Sequence, residues 1–384
     1  MRLSARKRLV AAAVALLLSV QLFILSACSE DTHKSSTEPT SAELTINHNT
    51  EPATEAASES AETLQKRLSL TSQVEEYMAA YDFSGSILIS VDGDTLCEYS
   101  RGFADKANAT PNTPSTRIEI GSMTKQFTAA AILMLQEQGK LNVLDTVDEY
   151  IPEYDFGGEM TVENLLNMTS GIPDFLNSML YLDAIEEIDL MEPTNFNEVL
   201  EFANYNGLEF TPGTSFQYSN TNYLILGEIV ARLSGSSYET FVEENILKPL
   251  GMSNTSMNMN SADAVGYLAD GSEGDTADTT YFGAAGEMVS TVGDINLWLC
   301  ALTEGKVLSE SSLNQMLSNT AMGYGYGWFI VEDNYYWHTG QSMSCYTMDL
   351  MSADFRVKVV VLSNVDDENV ETICVDLYNM AEDY

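Results

Sequence analysis

The sequence predicts an α+β fold: an antiparallel sheet built from both chain ends and flanked by helices, with a mainly helical domain inserted. Three observations carry this expectation. A hairpin pattern, "SGSILISV", "DGD", "TLCEYSRGFA", stands near the start of the globular region. A long, mainly helical stretch follows it. Strand patterns then dominate the end: "YGYGWFIVE", "YYWHTG", "CYTMDLMS" and "FRVKVVVLSN". Strands at both ends around a helical middle suggest one shared sheet. Such layering leaves a cleft where sites tend to form.

The elements can be taken in chain order. Residues 1–27 read as a lipoprotein signal peptide, with Arg2, Arg6, Lys7 and Arg8 before the apolar run "AAAVALLLSVQLFIL". The run ends in "LSAC", Leu25 to Cys28, which looks like a bacterial lipobox. Cys28 is then the expected lipidation site. The protein is expected to be exported and anchored to the outer face of a bacterial membrane. Residues 28–65 are rich in Ser, Thr, Glu and Ala and read as a disordered linker behind that anchor. His33 and His48 fall inside it and are read as inert.

Residues 66–384 form the expected globular domain. Its sheet part covers about 66–118 and 285–384, and its helical part about 119–284. "LQKRLSLTSQVEEYMAAY" reads as an amphipathic helix before the hairpin. "NEVLEFANY", "NYLILGEIVARLSG" and "SSYETFVEENILKPLG" read as helices of the middle. In the last, Ser236 and Glu239 fit a capping box, and Pro249 reads as the stop. "STVGDINLWLCAL", "SESSLNQML" and a final helix from about Glu368 complete the set.

Composition narrows the function. Of 384 residues, 45% are apolar, enough for a sizeable core. The formal charge is −40, from 17 Lys and Arg against 57 Asp and Glu. A nucleic-acid partner is therefore not expected, because phosphate binding needs a basic surface. Cys97, Cys300, Cys345 and Cys374 show no CxxC or Cys/His metal spacing. Disulfides and buried free thiols both remain compatible with them.

The chemistry starts from "IEIGSMTKQFTAAAILMLQEQG", residues 118–139. Ala129, Ala130, Ala131, Leu133, Met134 and Leu135 make a helix body, and Gly139 a stop. Lys125 sits in the first turn, where a cation faces the positive end of the helix dipole. Ser122 lies three residues earlier on the same face. A disfavoured cation beside a hydroxyl makes a poised base beside a nucleophile. SxxK alone is weak, since "SARK" (Ser4 to Lys7) also matches it.

Two further elements join it. "TPGTSFQYSNTNYLILGEIV" puts Tyr218 and Asn220 just before a helix, where Asn220 also fits a cap. "WHTGQSMSC" contains His338, the only histidine of the globular part. It reads as the exposed end of a strand. A Ser-His-Asp site using His338 would lack a G-x-S-x-G elbow around Ser122.

Taken together, Ser122-x-x-Lys125, Tyr218-x-Asn220 and His338-Thr339-Gly340 resemble the three signatures of the serine β-lactamase and penicillin-binding-protein superfamily. Tyr-x-Asn in second place points to the class C β-lactamase-related branch, which includes D-Ala-D-Ala carboxypeptidases, D-aminopeptidases and esterases. "FSGSILIS", "LLNMTSGIPDF", "ILKPLGMSNT" and "GAAGEMVSTVGDINLWL" look similar too, and the resemblance covers roughly residues 75–365.

The resemblance implies a β-lactamase/transpeptidase-like fold and a serine hydrolase that forms an acyl-enzyme on Ser122. Its substrates would be D-Ala-type cell-wall peptides, related amides or esters, or β-lactams. It implies Lys125 or Tyr218 as base and Tyr218 as proton donor to the leaving group. Asn220 would hold Lys125 and the substrate. The backbone N–H groups of Ser122 and Gln341 would form the oxyanion hole, and Thr339 and Gly340 would present a strand edge. No metal or cofactor is implied, and the oligomeric state is not specified. The alternative is a penicillin- or peptidoglycan-binding protein that is acylated slowly or not at all.

Three positions depart from the pattern. His338 stands where many β-lactamases carry Lys. The acidic chain is expected to favour its protonation somewhat, so that it binds a substrate carboxylate. Met168 stands where many members have His. Cys345 stands where Gly is common and is expected to narrow the cleft or alter the strand.

Overall fold

The computed structural model describes residues 61–179, 190–318, 323–367 and 369–384. The signal peptide, with Cys28, and most of the linker lie outside the described residues. The first helix, α1 (Ala61–Met78), begins inside the segment expected to be linker. It buries Leu70, Val74 and Met78, which recur at helical spacing.

The main sheet has six antiparallel strands. They are β1 (Gly85–Val91), β2 (Asp94–Arg101), β3 (Phe329–Val331), β4 (Tyr335–Gln341), β5 (Tyr346–Ser352) and β6 (Val357–Ser363). Their spatial order is β2-β1-β6-β5-β4-β3. The two chain ends meet where β1 pairs with β6, Ile87 opposite Val361. The sheet from both termini is therefore observed. "YGYGWFIVE" yields a shorter strand than expected, starting only at Phe329.

β1, β5 and β6 are buried at every residue, so helices cover both faces of the sheet. Cys97 lies opposite Ile89 and bonds toward Thr71 of α1, which fixes one face. Ser90 points the other way and donates to Asn296 (2.7 Å), placing the helix Val292–Thr303 there. The last helix, Asn369–Ala381, packs with α1.

The helical part centres on α2 (Thr124–Glu137), buried at every residue from Thr124 to Leu133. It packs against α3 (Asn220–Ser234) and the short helix Gly283–Gly286. Gln126 ties α2 to the sheet. Its Nε2 donates to both oxygens of Asp349 (2.7 and 2.8 Å), and its oxygen accepts from Trp298 Nε1 (2.8 Å). Burial pushes the Asp349 carboxyl up to about 7.

Two helix details differ from expectation. The cap of Tyr238–Val242 is Ser237, whose hydroxyl accepts from Thr240 N–H, and not Ser236. Pro249 falls in the first turn of the short helix Lys248–Leu250, where its missing N–H is tolerated, and Gly251 (φ 72°) ends that helix. All four described cysteines are free, and three of them are buried.

Candidate active site

Ser122 sits in a single 3₁₀ turn, Gly121–Met123, that leads into α2. Two glycines let this turn lie against the end of β4. A Cβ on Gly340 would stand 1.8 Å from the Ile120 carbonyl oxygen, so only hydrogen fits. A Cβ on Gly121, whose φ is +49°, would stand 2.7 Å from Gln341 N. The Ser122 peptide is thus held beside the Gln341 peptide.

Lys125 lies one turn on and is fully buried. Its Nζ contacts three oxygens: Ser122 Oγ at 2.9 Å, Asn220 Oδ1 at 2.8 Å and Ala285 O at 2.8 Å. Burial pushes the amine down to about 7, opposed by the charge of Asp174. The dominant cause is therefore desolvation, which a position at a helix start does not reveal. The neutral amine has two N–H donors and one lone pair. Asn220 Oδ1 and Ala285 O can only accept, so they take the two N–H groups. The lone pair is left facing the Ser122 hydroxyl.

Tyr218 stands in the loop before α3, half-buried, with its phenol hydrogen-bonded to Ser122. Burial pushes this phenol up, so it keeps its proton at neutral pH. The Lys125 Nζ lies 4.9 Å from the Tyr218 ring centroid. Asn220 opens α3 and joins Lys125 to Asp174, whose Oδ2 accepts from Asn220 N (3.0 Å) and Nδ2 (2.9 Å).

His338 corrects the expectation most clearly. It is no exposed strand end: His338 is 1% and Thr339 5% exposed, inside β4. Its Nδ1 faces the Thr339 carbonyl at 2.5 Å and must carry the proton. Nε2 then accepts from the Tyr324 hydroxyl at 3.1 Å. The rings of Tyr218, Tyr324 and Phe329 surround the imidazole. Burial and nearby Lys125 push it down to about 3. The favoured protonation does not occur, because the local apolar cage outweighs the distant surface charge.

The strand edge is present all the same. β3 pairs with β4 only as far as Trp337, so no described strand covers the outer edge from His338 onward. Gln341 turns its side-chain amide to Asp366 Oδ1 (2.7 Å). Cys345 is buried in the core beside Glu119. Met168 is also buried, and its sulfur accepts from Asn222 Nδ2 (3.3 Å) and Ser219 N (3.5 Å).

The structure thus gathers Ser122, Lys125, Tyr218, Asn220 and the His338–Gln341 strand. The family model described as Beta-lactamase matches residues 70–376. The chain belongs to the beta-lactamase family. It is a penicillin-binding-protein-like serine hydrolase of that family. Protein flp of Staphylococcus aureus is 30% identical over 310 residues, spanning 74% of this chain and 60% of flp. A penicillin-binding protein from Bacillus halodurans superposes with a TM-score of 0.68 at 26% identity, covering 81% of this chain and 99% of that one. The D-amino acid amidase from Ochrobactrum anthropi SV3, solved with D-phenylalanine, gives 0.70 at 25%, covering 83% and 99%.

Sequence reasoning did not single out Asp174, the Ala285 carbonyl or Tyr324. Asp174 and Ala285 lie in stretches that drew notice only as a whole, "TSGIPDF" and "GAAGEM". A backbone carbonyl carries no side-chain signal at all.

Proposed function

We propose that this beta-lactamase-family protein is an exported, lipid-anchored hydrolase that forms an acyl-enzyme on Ser122. Its proposed substrates are D-Ala-type cell-wall peptides or related amides and esters. The observation that carries the reading is the 2.9 Å contact between Ser122 Oγ and an amine that is half neutral near pH 7. Export and anchoring rest on the charged start, the apolar run and Cys28 alone.

In the proposed mechanism Lys125 takes the Ser122 proton as Oγ attacks the substrate carbonyl. The Ser122 and Gln341 N–H groups hold the developing oxyanion. Tyr218, still protonated, donates to the leaving nitrogen or oxygen as its bond to carbon breaks and is reprotonated from Lys125. Water then attacks the ester, with the same groups acting in reverse. Tyr218 as base is disfavoured by its raised phenol.

A neutral His338 offers a substrate carboxylate no cation at the third motif. The missing charge-assisted bond is worth about 1–3 kcal/mol. Neutral or amine-bearing amides and esters, including D-alanyl ones without a free carboxylate, should therefore react faster than β-lactams or peptides ending in a D-Ala carboxylate. The D-amino acid amidase likeness agrees with that preference. The test follows intact mass over time with a fluorophosphonate, a fluorescent penicillin and a neutral D-alanyl ester. The expected result is one fluorophosphonate adduct on Ser122, ester turnover, and slower reaction with penicillin. Penicillin turnover faster than ester turnover would reverse the substrate reading. No adduct with any probe would sink the hydrolase.

A further inference from the structure

Asp174 does not touch the reacting hydroxyl, yet it stands behind two groups that do the positioning. We propose that Asp174 is a positioning residue: it turns the Asn220 amide so that its oxygen faces Lys125, and its charge acts on the Lys125 amine. This rests on the reading of Ser122 as nucleophile and Lys125 as base.

The geometry leaves little choice of orientation. A carboxylate only accepts hydrogen bonds. Asp174 Oδ2 receives Asn220 N–H at 3.0 Å and Asn220 Nδ2–H at 2.9 Å. Asn177 adds its N–H to Oδ1 (3.0 Å) and its Nδ2–H to Oδ2 (3.2 Å). Four donors converge on this group, which suits the ionised form. With Nδ2 fixed on Asp174, Asn220 Oδ1 must point to the opposite side, where Lys125 Nζ lies 2.8 Å away. A flipped amide would aim its NH₂ at the amine and break both contacts. An assignment that is often a choice between two flips is here dictated by the carboxylate.

The charge argument is equally local. The titratable groups facing Lys125 are Asp174, Tyr218, Tyr223 and His338. Burial pushes both phenols up and the imidazole down. All three are uncharged across the neutral range. Burial also pushes the Asp174 carboxyl up, and the hydrogen bonds from Asn177 and Asn220 and the Lys125 charge oppose that rise. Ionised, it is the charged neighbour that remains, and it favours the protonated amine.

The experiment measures the rate of fluorophosphonate labelling of Ser122 against pH, in the full chain. Labelling should rise with pH as Lys125 loses its proton. Asp174→Asn should move the midpoint to lower pH by about one unit, and Asp174→Glu should restore it toward wild type. Asp174→Ala should also lower the high-pH plateau by about tenfold, and much less in an Asn220→Ala background. A merely structural role would change the amount of folded protein without moving the midpoint. Asp174→Ser supplies a second neutral variant if Asp174→Asn unfolds. A midpoint that stays in place or rises in the neutral variants overturns the proposal. Wild-type protein that is labelled at another residue, or not at all, overturns the nucleophile reading and this one with it.

Discussion

Ser122→Ala abolishes labelling by a fluorophosphonate and by a fluorescent penicillin, and hydrolysis falls to background. The side chain lost is the one that the site is arranged around. Its oxygen is the shared partner of Lys125 Nζ and the Tyr218 phenol. Among the described residues, the other hydrogen-bond partners of Lys125 Nζ are the Asn220 amide oxygen and the Ala285 carbonyl, not a second hydroxyl. Alanine suits the start of a helix and removes no buried apolar contact, so the thermal unfolding midpoint should stay within a few degrees. Intact mass reports the labelling and circular dichroism the fold. An adduct of undiminished rate on the alanine variant would remove Ser122 from the chemistry.

Lys125→Met has the second largest expected effect. Methionine fills a similar volume but has no base. General-base catalysis of this kind contributes about 10²–10⁴-fold, and acylation should slow by that factor. The pH dependence near neutrality should vanish with it. Two opposing terms set the substitution's effect on stability. Asn220 Oδ1 and Ala285 O lose their donor, which costs about 1–3 kcal/mol for each buried acceptor. Against this, the variant no longer has to desolvate an amine. Thermal unfolding measured beside the rate separates a lost base from a damaged fold. A variant that is folded and acylates at the parent rate would exclude Lys125 as the base.

Much of the architecture was legible because each signal was local. The "DGD" turn between two apolar runs becomes the β1–β2 hairpin. The alanine-rich body after Lys125 becomes the most deeply buried helix. The serine, lysine, tyrosine and asparagine of the site were legible only through the resemblance of the three motifs taken together, since SxxK alone is weak and Asn220 alone fits a helix cap. What was not legible depends on partners distant in sequence. The charge state of His338 is decided by Tyr324, Phe329 and Tyr218, which come from other elements. The whole-chain charge of −40 gave the opposite expectation, because surface charges act weakly through water. The burial of Cys345 was not legible either, since a strand pattern does not say which face meets the core. The cap at Ser237 was missed by one residue, the ordinary uncertainty where two serines adjoin.

The central claim is that a buried Lys125, its amine pushed down to about 7, activates Ser122. Its most direct test is the rate of Ser122 acylation by a neutral ester or fluorophosphonate between pH 5 and 9, in wild type beside Lys125→Met. The control matters because Asp349, one residue's bond from α2, is also pushed to about 7 and ionises in the same window. The account predicts a wild-type rate that rises through a midpoint of about 7, and a Lys125→Met rate that is slow and flat. A wild-type rate that is flat to pH 9, or that falls as pH rises, would contradict it.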